Sequence, residues 1–593
     1  LKGLVEAKKL IRKAIKINPD RAQYHNNLGN ILRNSGPDYF DKARKSYEGA
    51  LKLDPNLVGV LSNLGLLAQA EDNLVLAEEF FKKAVEQAPE DAEAHNNYAQ
   101  LLRKQNRLEE AITSYEKAEA LDPDNYLIGL NKAQSLMQIR RDDDALAALQ
   151  RLMTLDQSKF EPFWDFAITL RKMGKLREAE KFVNDTLEHF PGNINLRHEL
   201  GSIYLARMEL SKAEELLQGI VDEVGEGRIL AGGAGIYATL GVIYLDSGSP
   251  EQVIEMFRLA MELEPNNEDA RNNYALSLIS LGMLEEGWKV FKHRWKSLNF
   301  TSPVRPFQKP VWDGQSLAGK TIALWGEQGI GDEIRYASMI PDILDENGAF
   351  IIECDKRLVD LFARSFESPQ VSVYGREDDF TAPFEESCDY QISTVDLAGF
   401  FRNSIESFPP GPYAYLKADP DRIDFWRRRL ADIGPGPKVG ILWRSILVTN
   451  ESMPHYAAIE ELKPILDVQG VNFINLMYAE CSEDRAKALD LFGVDIKTWD
   501  DIDLKDDQDD LAALISSVDL VIAPLTATGN LAGALDVPVF TFLTKKRTTE
   551  LLGHPDAPGW AASMRHFIKG YEEPWDKVMA EMAAEMKRKF GLT

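Results

Sequence analysis

NLGLLAQAEDNLVLAEEFFKKAVEQAP, residues 63–89, and NYAQLLRKQNRLEEAITSYEKAEALDP, residues 97–123, are two copies of one pattern set 34 residues apart. Leu64-Gly65, Ala77, Phe81, Ala84 and Pro89 in the first match Tyr98-Ala99, Ala111, Tyr115, Ala118 and Pro123 in the second. Pro55 lies one further step upstream, and two more steps of 34 from Pro123 reach Pro191. Self-similarity at such a period means one small supersecondary unit stacked repeatedly, because a single unit cannot bury its own apolar face. The small residues are needed where two helices cross closely, and the aromatics fill the gap beside them.

The pattern extends in both directions. Upstream, Asn27-Leu28-Gly29 is followed by Ala43, Tyr47, Ala50 and Pro55, with a two-residue insertion at the Gly36-Pro37-Asp38 turn. Downstream come Ala145 and Leu149, then Phe166-Ala167, Gly174 and Ala179, then Leu200-Gly201, Tyr204 and Ala213. Leu240-Gly241, Tyr244, Phe257, Ala260 and Pro265 follow, and Tyr274-Ala275, Gly282, Gly287 and Phe291 end the series. Eight units and a partial first helix fit. Period and composition resemble the tetratricopeptide repeat, a helix-turn-helix unit that stacks into a superhelix. GEGRILAGGA at 225–234 lengthens one spacing and reads as a surface insertion or as a hinge before the last two units. The residue before each small pair is Asn27, Asn63, Asn97, Asn131, Asp165, Glu199, Thr239 and Asn273. With the first helix of each unit lining the concave face, these form a row of amides. An amide offers two donors and an acceptor, which suits the backbone of an extended peptide. The alternative is that they cap or bridge neighbouring helices. The row resembles the asparagine ladder of O-GlcNAc transferase, which implies acceptor-peptide binding by Asn27, Asn63, Asn97, Asn131 and Asn273. Asp165, Glu199 and Thr239 interrupt it, so an acidic middle between two amide-lined stretches is expected.

Composition bounds the rest. A chain of 593 residues exceeds one compact core. With 94 acidic against 68 basic residues the net charge is -26, which argues against nucleic acid or an anionic membrane as the main partner. Cys354, Cys388 and Cys481 are far apart with no CxxC spacing, so reduced thiols in a cytoplasmic setting are expected, not a disulfide or zinc framework. No apolar run approaches the ~18 residues of a spanning helix, so no stable membrane insertion is expected. The chain opens at Leu1 within an amphipathic helix, so no signal peptide is expected, and the missing Met suggests further residues upstream.

The repeat stops near Asn299 and the pattern changes. Thr321–Trp325 is a short β run, followed by Gly326-Glu327-Gln328-Gly329-Ile330-Gly331-Asp332 and a helix from Glu333. Strand, glycine turn, helix opens a nucleotide-type βαβ fold, in which glycines let backbone approach a ligand and helix-start N–H groups favour anions. It is neither a Walker A loop nor GxGxxG. Phe350–Cys354 and Val371–Tyr374 are further strands. Gly434-Pro435-Gly436-Pro437 reads as a hinge before a second series, with strands Lys438–Trp443, Val471–Leu476, Leu520–Pro524 and Val537–Phe542. The turn Leu525–Asn530 supplies hydroxyls and a glycine ahead of a helix at Leu531, a setting for phosphate or for N-capping by Thr526 or Thr528. Asp501-Ile502-Asp503 spells DxD but lacks a flanking β run, and reads as an acidic loop capping the helix at Leu511.

WGEQGIGDEIRYA at 325–337, VGILWRS at 439–445, PHYAAIEELKPIL at 454–466 and APLTATGNLAGALDVPVF at 523–540 resemble bacterial tetratricopeptide-linked glycosyltransferases. Those are related to heptosyltransferases and more distantly to O-GlcNAc transferase. The resemblance implies an α + α/β chain: a tetratricopeptide superhelix over 1–298, a linker over 299–318, and a two-lobed GT-B (double Rossmann-like) domain. Its N-terminal lobe and inter-lobe segment would span 319–434, and its nucleotide-sugar-binding lobe 435–593, with a helix from Trp575 packing back on the first lobe. It implies a metal-independent glycosyltransferase moving a sugar from a nucleotide-sugar donor to a protein acceptor, with no cofactor. Within the group the chain looks most like flagellin-modifying enzymes that transfer a nonulosonic acid from a CMP donor, which implies flagellin or its chaperone complex as partner. Asp332 falls on the acidic residue that would serve as general base, unless it caps the following helix. Donor binding would fall to Gly329, Gly331, Arg444, Ser445, His455, Tyr478, Thr526, Thr528, Gly529 and Asn530, with Arg444 meeting phosphate unless it makes a surface ion pair. The family's phosphate-turn Asp and helix-opening His are Leu525 and Asn530 here, which disfavours ADP- or UDP-sugars, is compatible with a CMP donor, and leaves a non-catalytic adaptor as the rival.

Overall fold

The computed structural model describes residues 2–224, 233–247, 250–297, 300, 302, 305, 307–377, 381–445, 455–544, 552, 559–570 and 573–592. The 225–232 part of the insertion expected to be a loop or hinge lies outside the described residues. The chain forms two compact units, Leu1–Ile203 and Tyr204–Thr593.

The first unit is a stack of paired helices. The leading helix of each pair, here helix A, is Ala22–Arg33, Val58–Ala70, Ala92–Lys104, Tyr126–Gln138 and Glu161–Lys172. The partner helices are Phe40–Leu53, Leu74–Gln87, Leu108–Leu121, Asp142–Leu155 and Leu176–His189. The small-aromatic match has a direct cause: a Cβ on Gly65 would lie 2.7 Å from the Phe81 ring, and one on Gly29 would lie 2.3 Å from the Tyr47 ring. Ala77, Phe81 and Ala84 have no exposed surface, as have Ala111, Tyr115 and Ala118. Helix starts are capped by Asn73, Asp91 and Asn125, whose side chains accept from Leu76, Glu93 and Ile128 backbone N–H groups. The turn between the paired helices requires one left-handed residue. Asp72, Asn106 and Arg140 adopt it at φ of 58, 60 and 62°, and Gly174 at 75°. Asp and Asn tolerate that region better than most side chains.

The second unit includes five further repeat helices among the described residues, Leu210–Val224, Gly233–Ser247, Pro250–Leu263, Glu268–Ser280 and Leu284–Phe291. Two parallel sheets follow. One contains β1 (Thr321–Trp325), β2 (Ala349–Cys354), β3 (Val371–Gly375) and β4 (Tyr390–Ser393), in the order β3-β2-β1-β4. The other contains β5 (Lys438–Ile441), β6 (Asn472–Asn475), β7 (Leu520–Pro524), β8 (Val539–Thr544) and β9 (Met564–Lys569), in the order β6-β5-β7-β8-β9. Every strand pairing is parallel. Parallel sheets are covered on both faces, and β5, β7 and β8 are accordingly buried along their whole length. One buried cluster runs from Ile279, Trp288 and Phe291 of the last repeat through Ile322 and Ile352 to Val439, Ile522, Phe542 and Met582. The last repeat and both sheets therefore share a core.

The C-terminal helix Asp576–Phe590 departs from expectation. Its buried face, Val578, Met579, Met582 and Met586, packs on the helix Lys463–Leu466 and on β9, on the side of the second sheet. Trp575 anchors it edge-on to Phe542, 5.1 Å between ring centres, and its indole N–H donates to the Tyr456 carbonyl. The apolar surface left open beside β8 and β9 is what it covers.

Candidate functional site

The expected site lies at the carboxyl ends of β1 and of β5 to β8, where a doubly wound sheet opens its crevice. After β1, Gly326 is forced to be glycine: a Cβ there would lie 2.5 Å from the Glu333 carboxyl carbon. Glu327 is 3% exposed and receives both arms of Arg294, Nε to Oε1 at 2.8 Å and Nη2 to Oε2 at 2.8 Å. Ser393 Oγ donates to the same carboxylate at 2.9 Å. Arg294 follows the last repeat helix, so the end of the repeat series holds the glycine loop. Burial pushes the Glu327 carboxyl up while Arg294 draws it down, with burial the larger influence.

The helix after this loop is Ile330–Tyr336 and starts earlier than expected, with Gly329 at its N-cap. Asp332 is therefore in the first helical turn and does not cap a helix at Glu333. Its carboxylate is 3.6 Å from Arg335 and 30% exposed. Glu333 is 3% exposed, pairs with Arg376 and accepts from the Asp355 N–H at 2.8 Å. Burial pushes its carboxyl up to about 6.

In the second sheet, Arg444 makes the ion pair that was the alternative for it. Its Nη2 donates to the Glu480 carbonyl at 2.8 Å and lies 3.3 Å from Asp484. Ser445 and Tyr478 hydroxyls are 3.0 Å apart, joining the ends of β5 and β6. His455 is 6% exposed, and its Nδ1 meets the Thr544 hydroxyl at the end of β8 at 2.5 Å. The helix expected from Leu531 runs instead from Ala527 to Ala534, because Thr526 is extended and its carbonyl already accepts from Asn530 N. Thr528, Gly529 and Asn530 are thus buried helical residues, not an open turn. The Thr526 hydroxyl donates to the Pro524 carbonyl at 3.3 Å and does not cap.

The two series meet at one point. Asn530 Nδ2 donates to the Gly331 carbonyl at 3.0 Å, and a Cβ on Gly331 would lie 3.2 Å from Ala527 Cα. The start of the helix Ala527–Ala534 therefore faces the start of the helix Ile330–Tyr336. The remaining sequence candidates lie apart from this point. Asp501 pairs with Arg429 at 2.7 Å, Asp503 accepts from Lys505 and Asp506 N–H groups, and Asp507 caps the helix Gln508–Ile515. Among the described residues no three His, Cys, Asp or Glu side chains converge to hold a metal. All three cysteines are free and buried.

Two asparagines of the row bridge helices. Asn63 donates to Asn26 at 2.9 Å and Asn131 to Asn96 at 3.4 Å, each linking successive A helices. Asn27 accepts from Gln23 within its own helix, and Asn97 is buried with its Nδ2 unpartnered. Asn273 is a half-buried residue of the second unit. The acidic middle is partnered internally: Asp165 accepts from the Gln134 amide at 3.1 Å, and Glu199 takes Arg171 at 2.6 and 3.3 Å.

Over 560 residues the chain is 30% identical to Protein FlbA of Caulobacter vibrioides, covering 92% of this chain and 81% of that protein. The chain belongs to the FlbA family. Tetratricopeptide-repeat families match residues 56–124, 102–159, 22–57 and 234–267. A shorter likeness, 47% identity over 55 residues, links 9% of the chain to 7% of the mouse Protein O-mannosyl-transferase TMTC4. Among solved structures, a tetratricopeptide repeat protein from Parabacteroides merdae is 16% identical with a TM-score of 0.38, over 44% of this chain and 99% of that one. Among the described residues no helix is long and apolar enough to cross a membrane.

Arg294, Glu327, Glu333 and Arg376 were not among the sequence candidates. Glu327 and Glu333 flank Asp332 within the quoted WGEQGIGDEIRYA motif, so a carboxylate-rich glycine loop was the available signal. Their cations come from 33 and 43 residues away, which periodicity does not reveal.

Proposed function

We propose that the chain is a glycosyltransferase that moves a sugar from a nucleotide-sugar donor to a protein acceptor held by its tetratricopeptide repeats. The observation that carries this reading is the Asn530–Gly331 bond, which brings the glycine loop after β1 against the helix that follows β7. Two parallel sheets with facing loops at their carboxyl ends are the arrangement expected of a GT-B fold, with lobes at 319–434 and 435–593 behind repeats over 1–298 and a linker at 299–318. The likeness to a protein named an O-mannosyl-transferase agrees in direction but spans only 55 residues. In this reading Asp332, the part-exposed carboxylate of the glycine loop, takes the proton of an acceptor hydroxyl as its oxygen bonds to the sugar's anomeric carbon and the bond from that carbon to the donor phosphate oxygen breaks, releasing the nucleotide. Ser445, Tyr478, His455 and the Thr526–Asn530 segment surround the donor, and Arg444 turns from Asp484 to the donor phosphate. No metal is required. The donor is a CMP-linked nonulosonic acid, the acceptor is flagellin, and the setting is cytoplasmic.

A second reading has a specific observation behind it. Gly331 and Asn530 close over the start of the helix Ala527–Ala534, and Arg444 is already satisfied by Asp484 and Glu480. A protein-binding adaptor with a degenerate transferase fold would look this way. Thermal unfolding with CMP-, UDP- and GDP-sugars separates the two. A donor present at a hundred times its Kd adds about 2.7 kcal/mol to stability. No stabilisation by any nucleotide sugar refutes the transferase reading. With a donor identified, Asp332→Asn is expected to abolish transfer while leaving donor binding, and Arg444→Ala to weaken donor binding. Full activity in both variants refutes the assignment of these residues.

A further inference from the structure

The A helices of the first unit line a groove of about 640 Å³ that crosses four of them. Gln69 comes from Val58–Ala70, Gln100, Arg103 and Lys104 from Ala92–Lys104, Gln134 from Tyr126–Gln138, and Asp165 and Lys172 from Glu161–Lys172. These residues follow the repeat. Gln100 and Gln134 are 34 apart, as are Gln69 and Arg103, and Lys104 lies two such steps before Lys172. Each glutamine of the first pair lies one turn beyond Asn97 or Asn131 on its helix.

The amides of the groove have bonding capacity to spare. Gln69 and Gln100 are half-buried, and among the described residues their side chains make no hydrogen bond. Half-buried amides so placed offer donors and acceptors to a polar chain crossing them. The groove is also cationic in a chain whose net charge is -26. Among the described residues the Arg103 side chain reaches only the Gln134 amide oxygen, at 3.4 Å. Lys172 makes no ion pair among the described residues, and Lys104 reaches Asp72 only at 3.7 Å, where Asp72 is 90% exposed. Asp165, the acidic side chain in the lining, is 6% exposed and already accepts from Gln134. Successive A helices at about 8–10 Å give a run of roughly 25–30 Å, which an extended peptide covers with about eight residues.

We propose that this groove binds an extended acidic polypeptide segment, with Gln69 and Gln100 bonding its backbone and Arg103, Lys104 and Lys172 meeting its carboxylates. The proposal rests on the reading that the repeats hold the acceptor polypeptide, and it specifies that segment as acidic. Complementary charge of this kind sets partner choice and encounter rate, and weakens with salt.

Fluorescence anisotropy on the full chain, without nucleotide sugar, tests it. The probes are a labelled peptide alternating glutamate and serine and its counterpart with glutamine for glutamate. The acidic peptide is expected to bind about tenfold tighter or better, with the margin shrinking as salt rises. Arg103→Glu combined with Lys172→Glu removes the preference, whereas Lys83→Glu, exposed on a partner helix, retains it. Should the double variant misfold by circular dichroism, Lys104→Gln with Lys172→Gln is expected to reduce the preference severalfold. Equal binding of both peptides, or an unchanged preference in a folded groove variant, overturns the proposal. Donor stabilisation is read on the same protein. Its absence with the peptide preference intact refutes the transferase reading alone, and the reverse result refutes the groove alone.

Discussion

Replacing Arg294 with methionine removes a guanidinium with no exposed surface. It strips Glu327 of two bonds at 2.8 Å and Asp396 of one at 2.7 Å. Glu327, whose side chain is 1% exposed, keeps only the Ser393 hydroxyl, while Asp396 at 18% can recruit water. The dominant penalty is thus one buried, uncompensated carboxylate, about 3–5 kcal/mol. Some of this returns if Glu327 is protonated, since burial already favours its neutral form. Urea unfolding followed by tryptophan fluorescence measures the cost. With an m-value of about 3 kcal/mol/M, the unfolding midpoint of the second unit falls by roughly 1–1.7 M. Arg294→Met with Glu327→Leu removes both charges, so the pair is expected to cost less than the sum of the two single changes by at least about 1 kcal/mol. Amide exchange at Gly326–Gly331 should rise in Arg294→Met, because this arginine ties the glycine loop to the end of the repeats. A midpoint shift under about 0.3 M, or strict additivity, would refute the claim that this buried cluster holds the loop.

Gly65→Ala places a methyl 2.7 Å from the Phe81 ring and is expected to cost about 1–3 kcal/mol by overpacking, with Phe81→Leu restoring part of it; thermal unfolding of the single and double variants checks this. His566 is held neutral by burial, which pulls its pKa down to about 4. Its Nδ1 lies 2.6 Å from the Thr541 hydroxyl. Because the folded value is depressed, the unfolded chain binds the extra proton between about pH 6.5 and 4, so this contribution to stability is complete above 6.5 and lost as pH falls toward 4. Allowing for partial exposure it amounts to about 2 kcal/mol, and His566→Gln should flatten the stability curve in that window.

What could be read from the amino-acid order was what repeats locally. The 34-residue period placed Gly65 against Phe81, and the two series of β runs marked seven of the nine strands among the described residues, missing β4 and β9, because each signal arises from neighbours within a few turns or one strand. Boundaries were less legible. The helices at Ile330 and Ala527 start three and four residues before the expected Glu333 and Leu531, since Gly329 and Thr526 are extended and the first backbone bonds form directly after them. The turns of the repeats put Asp72, Asn106 and Arg140 in a left-handed conformation that their side chains do not require.

Tertiary structure alone decided who partners whom. Asn530 and Gly331 are 199 residues apart and Arg294 and Asp396 are 102 apart, so no spacing in the sequence pairs them. The same holds for the asparagine row, whose identity was plain but of which Asn63 and Asn131 bond back to the preceding A helix while Asn27 bonds within its own, with the glutamines one turn away lining the groove. Helical periodicity states which residues share a face. Which neighbour a polar group on that face finds depends on packing between distant segments, because a buried donor or acceptor takes whatever partner the fold brings within about 3 Å.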